Sequence, residues 1–211
     1  MSADAGPPLL QGARVRLRAQ CADDVPALLA LHSDAEVMRF WSCPPFIAIE
    51  QARELFARNE RGARAGESVP WAIAREDGAL IGTCSLFALD ATHRRAMIGY
   101  ALDRAHWGRG LASEALRLAL AHAFDAMRLH RVEADVDPRN RASVRLLERA
   151  GFRHEGLLRE RWLVGGDTQD SAMYGLLARE HAALRRDSRE ATAEQGPDRI
   201  GSGGSAAPAR S

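Results

Sequence analysis

Residues Leu102 to Glu114, Leu-Asp-Arg-Ala-His-Trp-Gly-Arg-Gly-Leu-Ala-Ser-Glu, lead from an apolar, strand-like run into an apolar-periodic, helix-like one. A helix start leaves several backbone N–H groups without intrachain partners, and its dipole adds partial positive charge there, so an anion can be held without a dedicated cation. Gly108 and Gly110 remove Cβ atoms that would keep a diphosphate off those amides, and they permit positive φ in the turn. Arg109 adds charge between them. The pattern reads as a phosphate cradle; the plainer reading is a tight strand-to-helix turn.

A second polar group, Asp137-Pro138-Arg139-Asn140-Arg141-Ala142-Ser143, opens another helix. The Asn140 side-chain oxygen suits the capping of a free N–H, and a first-turn Ser143 suits the same helix end. Cys21, Cys43 and Cys84 are odd in number and lack metal-ligand spacing, and the histidines are scattered, so no metal site is expected. His122, on an apolar helix face, reads as a structural histidine.

Whole-chain numbers bound what such sites can serve. With 211 residues, 46% hydrophobic and 27% charged, the chain can bury a sizeable core and does not demand two domains. A formal net charge of +1 gives no general attraction to nucleic acid or anionic membrane. All 29 basic residues are arginine, so the protein offers no lysine amine of its own. No leader pattern and no apolar run near the ~20 residues of a membrane span is seen, and the cysteine usage fits a reducing cytoplasm.

The elements that must position these groups follow from periodicity. Residues 1 to about 11 are small and Pro/Gly-containing, and 186–211 lack the apolar side chains that offset ordering entropy, so both are expected to be disordered around a domain of residues 12–185. Arg14 to Arg18 alternates as a strand, Ala22 onward starts a helix with acids and Pro in its first turn, and Ile49 to Arg61 has helical apolar spacing. Val69 to Arg75 and Leu80 to Leu89 flank an Asp77-Gly78 hairpin turn, and Ala96 to Leu102 gives a third strand before the cradle. A helix from Leu111 to Met127, a strand from Arg131 to Val136, a helix from Asn140 to Arg149 stopped by Gly151, and a hairpin around Gly165-Gly166-Asp167 complete the order. That order is neither doubly wound nor all-β, and predicts an α+β mixed sheet.

Trp107 to Ala112, Trp-Gly-Arg-Gly-Leu-Ala, resembles the Arg/Gln-x-x-Gly-x-Gly/Ala signature of the GNAT superfamily of N-acetyltransferases, with Trp in the first position as in the Rim branch of ribosomal-protein N-terminal acetyltransferases. Asn140 to Ser143, followed by Leu146-Leu147-Glu148-Arg149-Ala150-Gly151-Phe152, is similar to that branch's Asn-x-x-Ser helix ending in Gly-Phe. The similarity extends over most of residues 12 to 178. It implies a mostly antiparallel central sheet flanked by helices and splayed at the cofactor cleft. Acetyl-CoA is the implied cosubstrate, and a primary amine, on a peptide N-terminus or a small molecule, the implied acceptor.

The resemblance also implies roles. Backbone groups of Leu102 and Arg104 would bond the pantetheine arm like an added strand. Trp107, Gly108, Arg109, Gly110, Ala112 and Ser113 would surround the diphosphate, and Asn140 would reach the arm. Leu147 stands where many superfamily members carry a proton-donating Tyr, and the branch's Ser donor corresponds to Ser143. Glu67 is the implied base candidate, with Glu133 and His93 behind it, while Trp41, Phe46 and the Cys43-Pro44-Pro45 turn would line the acceptor side or simply pack. Tyr174 and Trp162 read as packing residues. A homodimer fits the family, although the chain carries no visible signal for one. Two rivals remain in view: an acyl-CoA sensor without catalysis, and a dinucleotide-binding oxidoreductase module suggested by Gly108-Arg109-Gly110 and the acids Glu133, Asp135 and Asp137. Ser113 at the third glycine position, and five residues between strand and first glycine, weigh against the latter.

Overall fold

The structure, a computed structural model, describes residues 6–194, with side chains through residue 186. Eight strands form: β1 (Leu10–Gln11), β2 (Arg16–Ala19), β3 (Val69–Ala74), β4 (Leu80–Asp90), β5 (Arg95–Leu102), β6 (Arg131–Val136), β7 (Arg153–Val164) and β8 (Asp167–Leu177). The helices are α1 (Val25–Ser33), α2 (Ala35–Met38), α3 (Ile49–Arg64), α4 (Leu111–Ala121), α5 (Arg141–Arg149) and α6 (Ala178–Glu194). The strands make one sheet in the order β1-β2-β3-β4-β5-β6-β8-β7, antiparallel everywhere except between β5 and β6. This is the mixed α+β fold that the element order predicts. It excludes the doubly wound sheet of a dinucleotide-binding module.

Burial explains the strand patterns. β3 is buried along its whole length, as befits a central strand covered on both faces, whereas β6 alternates between buried and half-buried residues. Trp71, Leu17, Ile73, Leu116 and Leu120 are fully enclosed in the main core, where α4 packs on the sheet; each such side chain contributes about 1.5–3 kcal/mol of transfer free energy. α3 is more one-sided. Its Ala52, Ile49 and Phe56 pack with Val25 and Leu28 of α1 in a satellite cluster, which leaves its other faces free for different work.

The β5–β6 pair positions the site. These strands pair in parallel only from Arg95 to Met97 against Arg131 to Glu133, and beyond Met97 they diverge. Ile98 to Leu102 thus have β4 on one side and an opening on the other.

Several boundaries differ from the sequence expectation. Residues 10–11 form β1 against Leu17 and Arg16, and the Pro8 carbonyl accepts a hydrogen bond from the Trp71 indole at 2.8 Å, so the segment expected to be disordered through residue 11 is tied to the sheet. α6 continues to Glu194, past the expected tail boundary at 186; its Arg, Glu and Ala residues are good helix formers. The remainder of both expected tails lies outside the described residues. The helix expected from Leu111 to Met127 ends its regular part at Ala121 and continues as a π turn over His122–Ala126.

Candidate active site

The chain leaves β5 through a single turn at Arg104–His106 and then enters the glycine loop. Gly108 and Gly110 have φ of 71° and 73°, a region that costs other residues about 1–2 kcal/mol. Gly110 is the N-cap of α4, and the first bond of the helix runs from Glu114 N–H to its carbonyl at 3.1 Å. Among the described residues, no acceptor is bonded to the N–H groups from Gly108 to Ser113. A run of unsatisfied donors at a helix start, with open space where a Gly108 Cβ would stand, fits a diphosphate.

The loop is held from the other end of the chain. Arg14, in the β1–β2 turn, donates from Nη1 to the Arg109 carbonyl at 2.8 Å and from Nε to Glu114 at 2.9 Å, and its backbone N–H bonds the same carboxylate at 2.8 Å. Burial pushes the Glu114 carboxyl up, but hydrogen bonds from Arg14 and from the Val15 and Ala13 backbone outweigh it and leave the group below its ordinary value. Nothing in local spacing signals this contact, which spans about a hundred residues of chain.

A cleft of about 940 Å³ begins where β5 leaves β6. Tyr100, Asn140, Ser143 and Leu147 line it there, with Glu67, Trp41 and Trp162 farther along its walls. Asn140 caps α5, its side-chain oxygen accepting from Ser143 N–H at 3.1 Å, which leaves the amide NH₂ to face other partners. Tyr100 Oη and Ser143 Oγ stand 2.7 Å apart. Burial raises the Tyr100 hydroxyl to about 12 against the opposing effect of the Ser143 bond, so it keeps its proton at neutral pH. If the phenol donates, the serine proton is free to point elsewhere.

Residues 14–153 match the acetyltransferase (GNAT) domain. The chain belongs to the GNAT acetyltransferase family. This GNAT enzyme is 36% identical over 170 residues to the uncharacterized N-acetyltransferase p20 of Bacillus licheniformis, which covers 80% of this chain and 96% of that protein. Mycobacterium smegmatis RimJ, solved in complex with CoA-disulfide, superposes with a TM-score of 0.77 at 28% identity over 87% of this chain and 95% of that one. Spermidine N-acetyltransferase from Vibrio cholerae, solved with CoA and spermine, has a TM-score of 0.73 at 24% identity, covering 81% of this chain and 99% of that one, a likeness of fold alone.

On this acetyltransferase scaffold the sequence-derived candidates separate. Asn140, Ser143 and Glu67 share the cleft, and Glu67 is exposed with no side-chain partner among the described residues. Glu133 is committed to Arg131 at 2.7 Å, and His93 sits in the exposed β4–β5 turn; neither lines the cleft. The Leu102 carbonyl accepts from the Trp107 indole at 2.7 Å and the Arg104 carbonyl from Trp107 N–H at 3.1 Å, so both strand-extending oxygens already have partners within the turn. Trp107 therefore braces the loop, and the Arg104 side chain pairs with Asp34 at 3.4 Å. Trp162 is 36% exposed and lines the cleft beneath the Arg161 guanidinium rather than packing, because β7 is an edge strand. Tyr174 is buried in the core, and His122 meets Trp71 edge-on at 5.5 Å with its pKa lowered by burial, as a structural histidine would. Phe46 does not line the cleft; it packs in the α1–α3 cluster and stacks at 5.1 Å on His32, which does. Among the described residues, no three His, Cys, Asp or Glu gather as a metal site, and no helix is long and apolar enough to cross a membrane.

Proposed function

We propose that the protein transfers acetyl from acetyl-CoA to a primary amine, on a small molecule or a peptide N-terminus, by direct attack in a ternary complex, in the cytoplasm. The amides of Gly108 to Ser113 hold the diphosphate, with Arg109 as a further contact, and the Asn140 amide reaches the pantetheine arm. The cleft between β5 and β6 receives the thioester arm. Glu67 takes a proton from the amine, whose nitrogen lone pair attacks the thioester carbonyl. As the carbon–sulfur bond breaks, Ser143 gives its hydroxyl proton to the departing thiolate, and Tyr100 donates to Ser143 Oγ. Proton balance is restored through solvent.

The observation that carries this reading is the Tyr100–Ser143 contact of 2.7 Å at the sheet opening, because Leu147 in the same helix has no proton to give. Ser143→Ala is expected to slow thiol release by about 10²- to 10⁴-fold, the range for one general acid, while acetyl-CoA affinity stays unchanged. Tyr100→Phe should slow it less, since it removes only the supporting donor. Full turnover in Ser143→Ala would remove the acid role.

A further inference from the structure

The far end of the cleft carries charge that the transfer chemistry leaves unused. Leu55, Arg58, Gly62 and Ala65 recur at steps of three and four along α3 and make one face, which lines the cleft together with Arg61. Other arginines of α3 are occupied, Arg53 by Glu50 at 3.3 Å and Arg64 by Glu60 at 2.8 Å. Among the described residues Arg58 and Arg61 have no such partner, and Glu54, one turn before Arg58, forms no ion pair with it.

The carboxylates of the cleft are mostly spoken for. Asp137 is gripped by Arg139 at 2.6 Å, Asp135 by Arg161 at 3.2 Å and by the Ser171 hydroxyl, and Asp170 accepts the Glu160 N–H at 2.8 Å. Among the described residues Glu67 is the lining carboxylate whose side chain has no partner of any kind, and Asp170 is held by that backbone N–H without an ion pair. Arg58 reaches toward the corner made by His32 and Cys43, where its charge is felt by both. His32 is 4% exposed, fixed between Phe46 and an edge-on Trp41 at 5.4 Å, and its Nε2 has no hydrogen bond. The lining thus includes two guanidiniums without an ion pair and one imidazole with an unbonded nitrogen, together with the partnerless Glu67 carboxylate and Asp170, which has no ion pair.

We infer that the acceptor is amphoteric: its nucleophilic amine lies between Glu67 and Ser143, and a carboxylate or phosphate a few bonds away rests on Arg58 and Arg61. This rests on the acetyltransferase reading above and names its substrate class. A polyamine would bring several ammonium groups against two guanidiniums without ion pairs, and would find only Glu67 and Asp170 among the lining carboxylates not already held by an arginine. Planar guanidinium forks match carboxylate and phosphate geometry, so the preference is one of shape as well as charge.

The test uses matched acceptors on the intact enzyme: γ-aminobutyrate against butylamine, phosphoethanolamine against ethanolamine, a short peptide with Asp against one with Ala at its second position, and spermidine. Thiol release from acetyl-CoA gives kcat/KM, and calorimetric titration of the CoA-loaded enzyme gives affinity where turnover is slow. The anionic member of at least one pair should be favoured by about tenfold or more, and the responding pair identifies whether carboxylate, phosphate or an acidic peptide supplies the anion. The Arg58→Gln/Arg61→Gln double variant should lose that preference, and Arg58→Lys should retain part of it. Equal binding of every pair, a preference for spermidine, or a preference surviving the double variant would overturn the inference. Acetyl-CoA titration of the unliganded enzyme is read separately, and absence of binding there would instead defeat the acetyltransferase reading.

Discussion

Arg14→Met asks whether the cradle is held in shape by the β1–β2 turn. The substitution keeps an apolar stem and removes the bonds to the Glu114 carboxylate at 2.9 Å and the Arg109 carbonyl at 2.8 Å. A bond to a charged group contributes about 1.5–3 kcal/mol and a neutral one about 0.5–1.5 kcal/mol. Because the Arg14 side chain is 54% exposed, solvent recovers much of this, and the backbone bond to Glu114 at 2.8 Å remains. A net loss of about 1–2 kcal/mol is expected. Expressed wholly as cofactor affinity, that is about a 5- to 30-fold rise in Kd. Calorimetric titration with acetyl-CoA, set beside a pantetheine thioester that lacks the diphosphate, gives the assay. The variant should weaken the first ligand and spare the second. An unchanged Kd for acetyl-CoA, or equal losses for both ligands, would refute the idea that Arg14 acts through the diphosphate loop.

Two further outcomes follow from the geometry. Gly110→Ala places a Cβ in a φ of 73° and 3.3 Å from Arg14 Nη2, so it should lower stability by about 1–2 kcal/mol and weaken acetyl-CoA binding; a thermal denaturation midpoint equal to wild type would contradict this. His32 is held down to about 4 by burial first and the Arg58 charge second, whereas the unfolded chain's imidazole protonates near its ordinary 6.5. The unfolded state therefore binds more protons between those values, so the His32 contribution is complete above about 6.5 and is lost progressively as pH falls toward 4. Urea unfolding at neutral pH and near pH 4 should show wild type losing up to about 3 kcal/mol more than His32→Phe, and parallel losses would show that His32 does not titrate this way.

Local chemistry made much of this legible. Gly108 and Gly110 announce positive φ, Asp77-Gly78 announces a hairpin, and Asn140 ahead of an apolar-periodic run announces a cap; each signal lies within a few residues of its effect. What escaped depends on distant partners. Tyr100 reads as one more strand residue until β5 and α5 meet, since its hydroxyl finds Ser143 across 43 residues of chain. Its position two residues before the loop, on the strand bordering the opening, is the signal that could have marked it. Arg14 gives none. Glu133 pairs with Arg131 two residues earlier on the same strand, a local signal in the i, i+2 spacing, and with Arg95 only once β5 and β6 align. β1 is two residues long and has no periodicity to detect, and its order comes from pairing with β2.

The brevity of the β5–β6 pairing has a mechanical consequence. Among the described residues, three paired positions are the only ladder between a five-stranded panel, β1 through β5, and a three-stranded panel of β6, β8 and β7. A molecule threaded through that seam and gripping both panels acts as mortar. Its binding should raise resistance to heat by more than its local contacts suggest, and should slow amide hydrogen exchange along both margins of the joint rather than at the docking loop alone.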